Sequence, residues 1–413
     1  MKETIRRRVL EQLDLHTDIS DEEIRSRIRT AVMEETREIY LPLDKKEQIC
    51  NEIFHSLRKF DVLQELLEDE SITEIMINGY DNIFVEKNGA LFRTKEQFAS
   101  KEKLEQVIQQ IVAKTNRIVN ESSPIVDTRL EDGSRVHVLL EPIALDGSTM
   151  TIRKFTKEIT SMEQLLKYGS LNEELLHFLS LMVRGCMNIF ISGGTGAGKT
   201  TLLNALSNCI PKEERIITIE DSAELQLHGI ENLVRLEARN ENLEGENKIT
   251  IKDLIRASLR MRPNRIIVGE IRGGECVDML SSFNTGHDGS FSTGHGNSTK
   301  DMLLRLETMF YMGMDLPVHA IRGQIASGLD LMIHVARLRD RSRRVVEISE
   351  VLGMEQGEIK LKTLYQFQEI KEEKGKIIGR FCRTGTLEHT QKLKERGLYE
   401  EYERLLETYK KEA

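Results

Sequence analysis

The sequence predicts an α/β protein: a parallel sheet wrapped by helices, preceded by a small α+β domain and a helical N-terminal extension. Three observations carry this. Strand-like and helix-like stretches alternate in "MNIFISG", "KTTLLNALSNCI", "ERIITIED", "TIKDLIRASLRM" and "NRIIVGE", at the spacing of parallel strands joined by helices. Upstream, "SITEIMINGYDNIFVEKNGALFRT" mixes alternating runs with turn signals at Asn78-Gly79 and Asn88-Gly89. The start of the chain is charge-rich with helical apolar spacing, as in "IRSRIRTAVMEETREIYL" and "EQICNEIFHSLRKF".

In chain order, residues 1–60 form the helical extension and 61–155 the α+β domain. Within the latter, "KEKLEQVIQQIVAKTN" reads as an amphipathic helix and "SRVHVLLEPIALDGSTMTIRKF" as two strands around Asp146-Gly147. Residues 156–174 lack strong periodicity and read as a linker. Residues 175–365 form the parallel-sheet domain, and 366–413 a tail, mostly helical and ending in "TLEHTQKLKERGLYEEYERLLETYKKEA".

Composition bounds the function. The 413 residues suffice for two or three domains, and 39% hydrophobic with 31% charged residues suits a globular chain. Tryptophan is absent, aromatics make up 5%, and the formal charge is -9, so a nucleic-acid surface is not expected. No signal peptide and no transmembrane segment are expected. The most apolar stretch, "LLHFLSLMVRGCMNIFISGG", is broken by Arg184 and reads as a helix leading into a buried strand. Cys50, Cys186, Cys209, Cys276 and Cys382 are scattered without a C-x-x-C pair, which points to a reducing cytoplasm.

The chemistry starts at "GGTGAGKTT", residues Gly193, Gly194, Thr195, Gly196, Ala197, Gly198, Lys199, Thr200 and Thr201. It satisfies the Walker A pattern G-x-x-x-x-G-K-[ST] and sits between an expected strand and an expected helix, the context that gives the pattern meaning. Its glycines let backbone N–H groups turn inward around an anion, and the helix start adds positive potential. Lys199 can bridge the β- and γ-phosphates of ATP, and Thr200 can offer its hydroxyl to Mg²⁺. In "RIIVGEIRGGE" an apolar strand ends at Glu270, the expected acidic partner of that Mg²⁺. Between them, "RIITIEDSAELQL" aims Glu220, Asp221 and Glu224 at the carboxyl end of the sheet, where ligands bind in such folds.

The order of these signals, followed by "NTGHDGSFSTGHGNS", resembles the secretion ATPases of type II and type IV systems. The wording of "RMRPNRIIVGEIRGGE", "ITEIMINGYDNIFVEKNGAL", "DTRLEDGSRVHVLL", "TIRKF" and "GKIIGRFCRTG" is most similar to the tight-adherence pilus assembly ATPases, the CpaF/TadA group. The likeness covers residues of about 60 to 400. It implies a RecA-like phosphate-loop ATPase domain behind a PAS-like α+β domain.

The resemblance also bears on His287 and His295. As a zinc pair they lack further ligands at a workable spacing, since no cysteine lies in this stretch and Asp288 is the only nearby acid. In the family this stretch is the His box, which implies that His295 senses the γ-phosphate and His287 shapes the loop. "DTRLEDGSRVHV" and "TIRKF" match family stretches whose arginines face the nucleotide, which transfers that role to Arg129, Arg135 and Arg153. Arg256, Arg260 and Arg272, around the Glu270 strand, read as structural ion pairs.

The expectation is a cytoplasmic ATPase at the inner face of the membrane, a homo-oligomer of six, working on an inner-membrane platform protein of a pilus or secretion system. Catalytic roles fall to Lys199, Glu224, Glu270, His295, Arg135 and Arg153, with Glu224 orienting the attacking water and Glu270 the runner-up. Thr200 and Glu270 hold Mg²⁺. A nucleic-acid motor and a scaffold without turnover are the rivals.

Overall fold

The computed structural model describes residues 2–12, 19–37, 40–87, 89–115, 117–155, 161–239 and 248–409. The chain divides into two compact units, Met1–Lys157 and Glu158–Ala413.

In the first unit, helices α1 (Lys2–Gln12), α2 (Asp21–Glu35) and α3 (Leu43–Arg58) pack on one another. Their core is Ile5, Val9, Ile24, Ile28, Val32, Ile53 and Phe54, apolar residues at helical spacing that share one face of each helix. Ser20 caps α2 by accepting the Glu23 N–H. A short α4 (Leu63–Glu68) leads into strands β1 (Ile72–Asn78), β2 (Ile83–Lys87) and β3 (Ala90–Arg93), then helix α5 (Lys101–Ala113). Strands β4 (Ile125–Arg129), β5 (Arg135–Leu139) and β6 (Thr149–Arg153) complete a six-stranded sheet of order β3-β2-β1-β6-β5-β4. Every neighbouring pair is antiparallel. Alternate residues such as Ile75, Ile77, Val136, Val138 and Ile152 point to one face and are buried with Leu104, Ile108 and Ile111 of α5. Of the two expected turns, Gly79 takes the left-handed conformation, and Asn88 lies outside the described residues.

The second unit begins with α6 (Met162–Lys167) and α7 (Glu173–Arg184). The stretch 156–174, expected to be a linker, therefore carries α6, closed by a Ser161–Gln164 capping box, and the start of α7; residues 156–160 lie outside the described residues. The sheet strands follow: β7 (Ile189–Gly193), β8 (Ile216–Glu220), β9 (Leu233–Glu237), β10 (Arg265–Val268), β11 (Phe291–His295) and β12 (Leu331–Arg337). Between them run α8 (Lys199–Ser207), α9 (Ile251–Ser258), α10 (Cys276–Phe283), α11 (Thr299–Gly313) and α12 (Val318–Gly328). The six strands pair in parallel, in the order β12-β7-β11-β10-β8-β9.

Both faces of this sheet are covered, which is why its central strands are apolar throughout rather than alternating. Ile189 and Ile191 enter the core with α7 and α8, while Phe190 between them enters the core with α10 and α11. Because the strands run in parallel, Gly193, Glu220, Val268 and His295 all end at one edge.

The tail departs from expectation. Residues 366–413, expected to be mostly helical, continue the sheet first. Strands β13 (Arg343–Glu355), β14 (Glu358–Glu373) and β15 (Lys376–Arg383) add antiparallel to β12, making nine strands. Their alternation is masked by charge: the end of β14 from Gln368 to Glu373 is exposed and mostly charged, and in β15 only Ile377 is buried. Helices α13 (Gln391–Glu395) and α14 (Tyr399–Thr408) follow, with Leu393, Tyr402 and Leu405 buried in the core beside α7. Among the described residues no helix is long and apolar enough to cross a membrane.

Candidate nucleotide site

The loop between β7 and α8 is built by two local constraints. Gly193 ends a strand that lies against β12, and a Cβ there would come within 2.5 Å of the Val335 carbonyl oxygen. Gly198 precedes the helix with φ +99°, a conformation that side chains rarely adopt. Leu202, Leu203 and Leu206 bury the helix behind the loop, so its N-terminus is fixed. Lys199, 8% exposed, folds back into the loop and donates to the carbonyls of Gly193 and Gly194 at 3.2 Å each. Thr200 and Thr201 occupy the same first helical turn.

Strand β11 lies between β7 and β10, with His295 opposite Gly193. This places the imidazole between the lysine of one strand's loop and the acid of the next. Lys199 Nζ is 3.3 Å from His295 Nδ1, and His295 Nε2 is 2.8 Å from Glu270 Oε1. Burial first, then the Lys199 charge, holds the imidazole below its ordinary pKa, against the pull of Glu270. Lys199 Nζ is also 3.5 Å from Nε2, so the ammonium sits near both ring nitrogens. Glu270 Oε2 accepts from Nε and Nη2 of Arg272 at 2.9 and 2.6 Å.

The acidic cluster after β8 is organised by Glu220. Its Oε2 accepts the backbone N–H groups of Glu224 and Leu225 at 2.7 and 2.9 Å. Its side chain crosses to β10, where a Cβ on Gly269 would lie 2.9 Å from Glu220 Cγ. Burial pushes this carboxyl up to about 7 despite those two hydrogen bonds. Asp221 stands 3.9 Å from Arg272 Nη1.

Other expected residues are placed elsewhere. His287 precedes β11 and His295 ends it, so the two histidines sit at opposite ends of one strand rather than in one loop. His287 Nδ1 lies 3.1 Å from the Ser282 carbonyl oxygen, and Asn188 Oδ1 accepts from Gly289 and Ser290 N–H, which shapes that turn. Arg256 pairs with Asp278 at 2.8 Å, as a structural ion pair. Arg272 is an ion pair too, but its partner Glu270 is a site residue. Arg129, Arg135 and Arg153 belong to the first unit, where they stand directly opposite one another across β4, β5 and β6. Sequence reading passes over Arg343, whose Nε donates to the Gly196 carbonyl at 2.9 Å. The run "RLRDRSRR" marks a basic hairpin, but which arginine meets the loop depends on register.

The residues fit a Mg²⁺ ion. Glu270 Oε1 is buried with no aligned hydrogen bond from the protein, its approach to His295 notwithstanding. A carboxylate and the Thr200 hydroxyl are the hard oxygen donors that this ion prefers.

A phosphate loop at the carboxyl edge of a parallel sheet, with lysine, acid and histidine gathered beside it, defines a nucleotide-hydrolysing enzyme, an ATPase. The chain belongs to the type II/IV secretion system protein family, which matches residues 56–411. A putative conjugal transfer protein of Mycobacterium tuberculosis is 33% identical over 310 residues, covering 74% of this chain and 87% of that protein. The type IV secretion system protein PtlH of Bordetella pertussis is 31% identical over 312 residues, covering 69% and 92%. The structure of the ATPase DotB of Yersinia pseudotuberculosis shares the fold at a TM-score of 0.53 and 18% identity, over 73% of this chain and 80% of that one.

Proposed function

We propose that the chain is a cytoplasmic ATP-driven motor of a type IV secretion or pilus system, of the tight-adherence kind, acting as a ring of six on an inner-membrane platform protein. The PAS-like first unit and the RecA-like second unit both take part. The observation that carries the reading is the line Lys199, His295, Glu270 beside the phosphate loop. Lys199, now held by two loop carbonyls, turns to the β- and γ-phosphates. His295 senses the γ-phosphate, because anything that draws Lys199 away changes what the ring faces. Glu224, held by its backbone on Glu220, orients the attacking water. Thr200 and Glu270 hold Mg²⁺, which neutralises phosphate charge when bound. Arg135 and Arg153 supply cationic charge to the transferring phosphate. The names of the relatives support the secretion setting, and the resemblance of the His box and "RMRPNRIIVGEIRGGE" supports the tight-adherence kind.

The test is phosphate release by the purified chain with its mass measured in solution, with and without ATP and DNA. Turnover that Lys199→Ala abolishes, in a hexamer indifferent to DNA, supports the reading. Turnover stimulated by DNA would move it to a nucleic-acid motor.

A further inference from the structure

The β12–β13 hairpin touches the phosphate loop, and nothing in the roles above uses it. Strand β12 runs parallel to β7 with Val335 opposite Gly193, so its continuation to Arg337 carries it past the strand end alongside the loop. Arg343 stands directly opposite Arg337 on β13, and the two side chains share a face. The turn between them is fixed by Asp340 Oδ1, which accepts from Ser342 N and Oγ at 2.9 and 2.6 Å. Both arginines reach the loop at its two left-handed glycines. Arg343 Nε donates to Gly196 O at 2.9 Å, and a Cβ on Gly198 would lie 3.5 Å from Arg343 Cδ. Arg337 Nη1 would lie 3.8 Å from a Cβ on Gly196.

The peptide unit between Gly196 and Ala197 is thus held at both ends: its carbonyl by Arg343, and its N–H by the Gly194 carbonyl at 3.3 Å. A phosphate loop binds anions by turning amides inward; here the Gly196 carbonyl faces out to Arg343, whereas those of Gly193 and Gly194 turn in to Lys199. A cation on the outer side stabilises that polarity, and it does so through a charge-assisted hydrogen bond.

We propose that Arg343 is a positioning residue for nucleotide polyphosphate: its guanidinium fixes the orientation of the Gly196–Ala197 peptide from the carbonyl side, with Arg337 adding charge beside it. This rests on the nucleotide reading of the loop.

The experiment measures the dissociation constant of a fluorescent ADP analogue, steady-state KM and kcat for ATP, and thermal midpoint. The variants are Arg343→Ala, Arg343→Lys, Arg339→Ala and Lys199→Ala. Arg343→Ala is expected to weaken ADP binding and raise KM about tenfold, the size a charge-assisted hydrogen bond supports, with little change in kcat. Its thermal midpoint should stay at the wild-type value, since the side chain is exposed. Arg343→Lys can still donate to the carbonyl and should recover part of the affinity. Arg339 pairs instead with Glu369 and Glu372, so Arg339→Ala should bind as wild type. Wild-type affinity in Arg343→Ala, while Lys199→Ala loses turnover, overturns this inference and leaves the nucleotide site intact. Equal weakening in Arg339→Ala overturns it too, by showing only a general effect of hairpin charge. Full turnover in Lys199→Ala instead removes the nucleotide reading beneath both.

Discussion

His295 Nε2 lies 2.8 Å from Glu270 Oε1, yet that oxygen receives no aligned hydrogen bond from the protein. The pair is close enough to exchange a hydrogen bond and is not committed to one. Lys199 Nζ stands 3.3 and 3.5 Å from the two ring nitrogens, so the imidazole meets both the ammonium and the acid. A γ-phosphate that draws Lys199 away would change what this ring faces, which is the basis of the sensing role proposed for it.

Replacing His295 by Ala should therefore lower kcat, by roughly 10²-fold if the ring donates to developing charge, with nucleotide affinity kept within a few-fold. Stopped-flow binding beside steady-state turnover separates the two. Lost affinity with unchanged kcat would mean that His295 serves only to hold Lys199.

Glu224 meets Glu220 through its backbone, which leaves the placement of its side chain to the loop that Glu220 secures. Glu224→Gln should bind nucleotide as wild type and hydrolyse it at least tenfold more slowly, because an amide cannot accept a proton from water. If turnover is unchanged, the role passes to Glu270, whose Gln variant is the natural next measurement.

Glu220 makes stability depend on pH with a definite sign. Its folded pKa, about 7, stands above the ordinary 4.5, so the native state binds the proton more tightly than the unfolded chain does. The associated stability is fully present below about pH 4.5 and is lost as pH rises through 7. Glu220→Gln keeps an oxygen for the Glu224 and Leu225 amides but cannot ionise. Its stability relative to wild type should grow from pH 4.5 to 7 and then level off, up to about 3 kcal/mol. Urea unfolding at a series of pH values checks this; a gap that does not change with pH places the ionisation elsewhere.

Much of this site was legible because its signals are local. Strand, glycines and Lys199 lie within a dozen residues, and Glu270 follows an apolar run that reads as a strand in isolation. What was not legible depends on strand order. That β11 lies between β7 and β10, and so sets His295 between Lys199 and Glu270, is a tertiary fact. The two histidines part for a local reason: Phe291–His295, mostly small or polar in sequence, forms strand β11 between them. Arg272 is the ion pair the sequence suggests, but that it pairs with Glu270 is read only from the fold, and Arg343 is one arginine among several. The β14 and β15 strands were hidden for a different reason: the outer end of β14 is exposed and charged on both faces, β15 buries only Ile377, and period-2 alternation is readable only where one face is buried.

The last prediction concerns the arginines of the first unit. Arg153 stands directly opposite Arg135, and Arg135 opposite Arg129, so three guanidiniums share one face of adjacent strands. Like charges opposite one another on a sheet are destabilising, and a bound anion would offset that. The bidentate fork of arginine suits phosphate oxygens in a way that lysine does not copy. Arg153→Lys and Arg135→Lys should each lose most turnover while keeping their charge, since arginines that stabilise a transferring phosphate contribute on the order of 10³-fold or more. The bland alternative is the ion pair of Arg153 Nε with Glu74 Oε1, at 3.9 Å and with the arginine side chain 55% exposed. Such a pair stabilises by at most about 1 kcal/mol and does nothing for catalysis. Turnover and thermal midpoint measured together on both variants decide between them: a large fall in turnover with an unmoved midpoint supports the phosphate role, and unchanged turnover leaves only the ion pair.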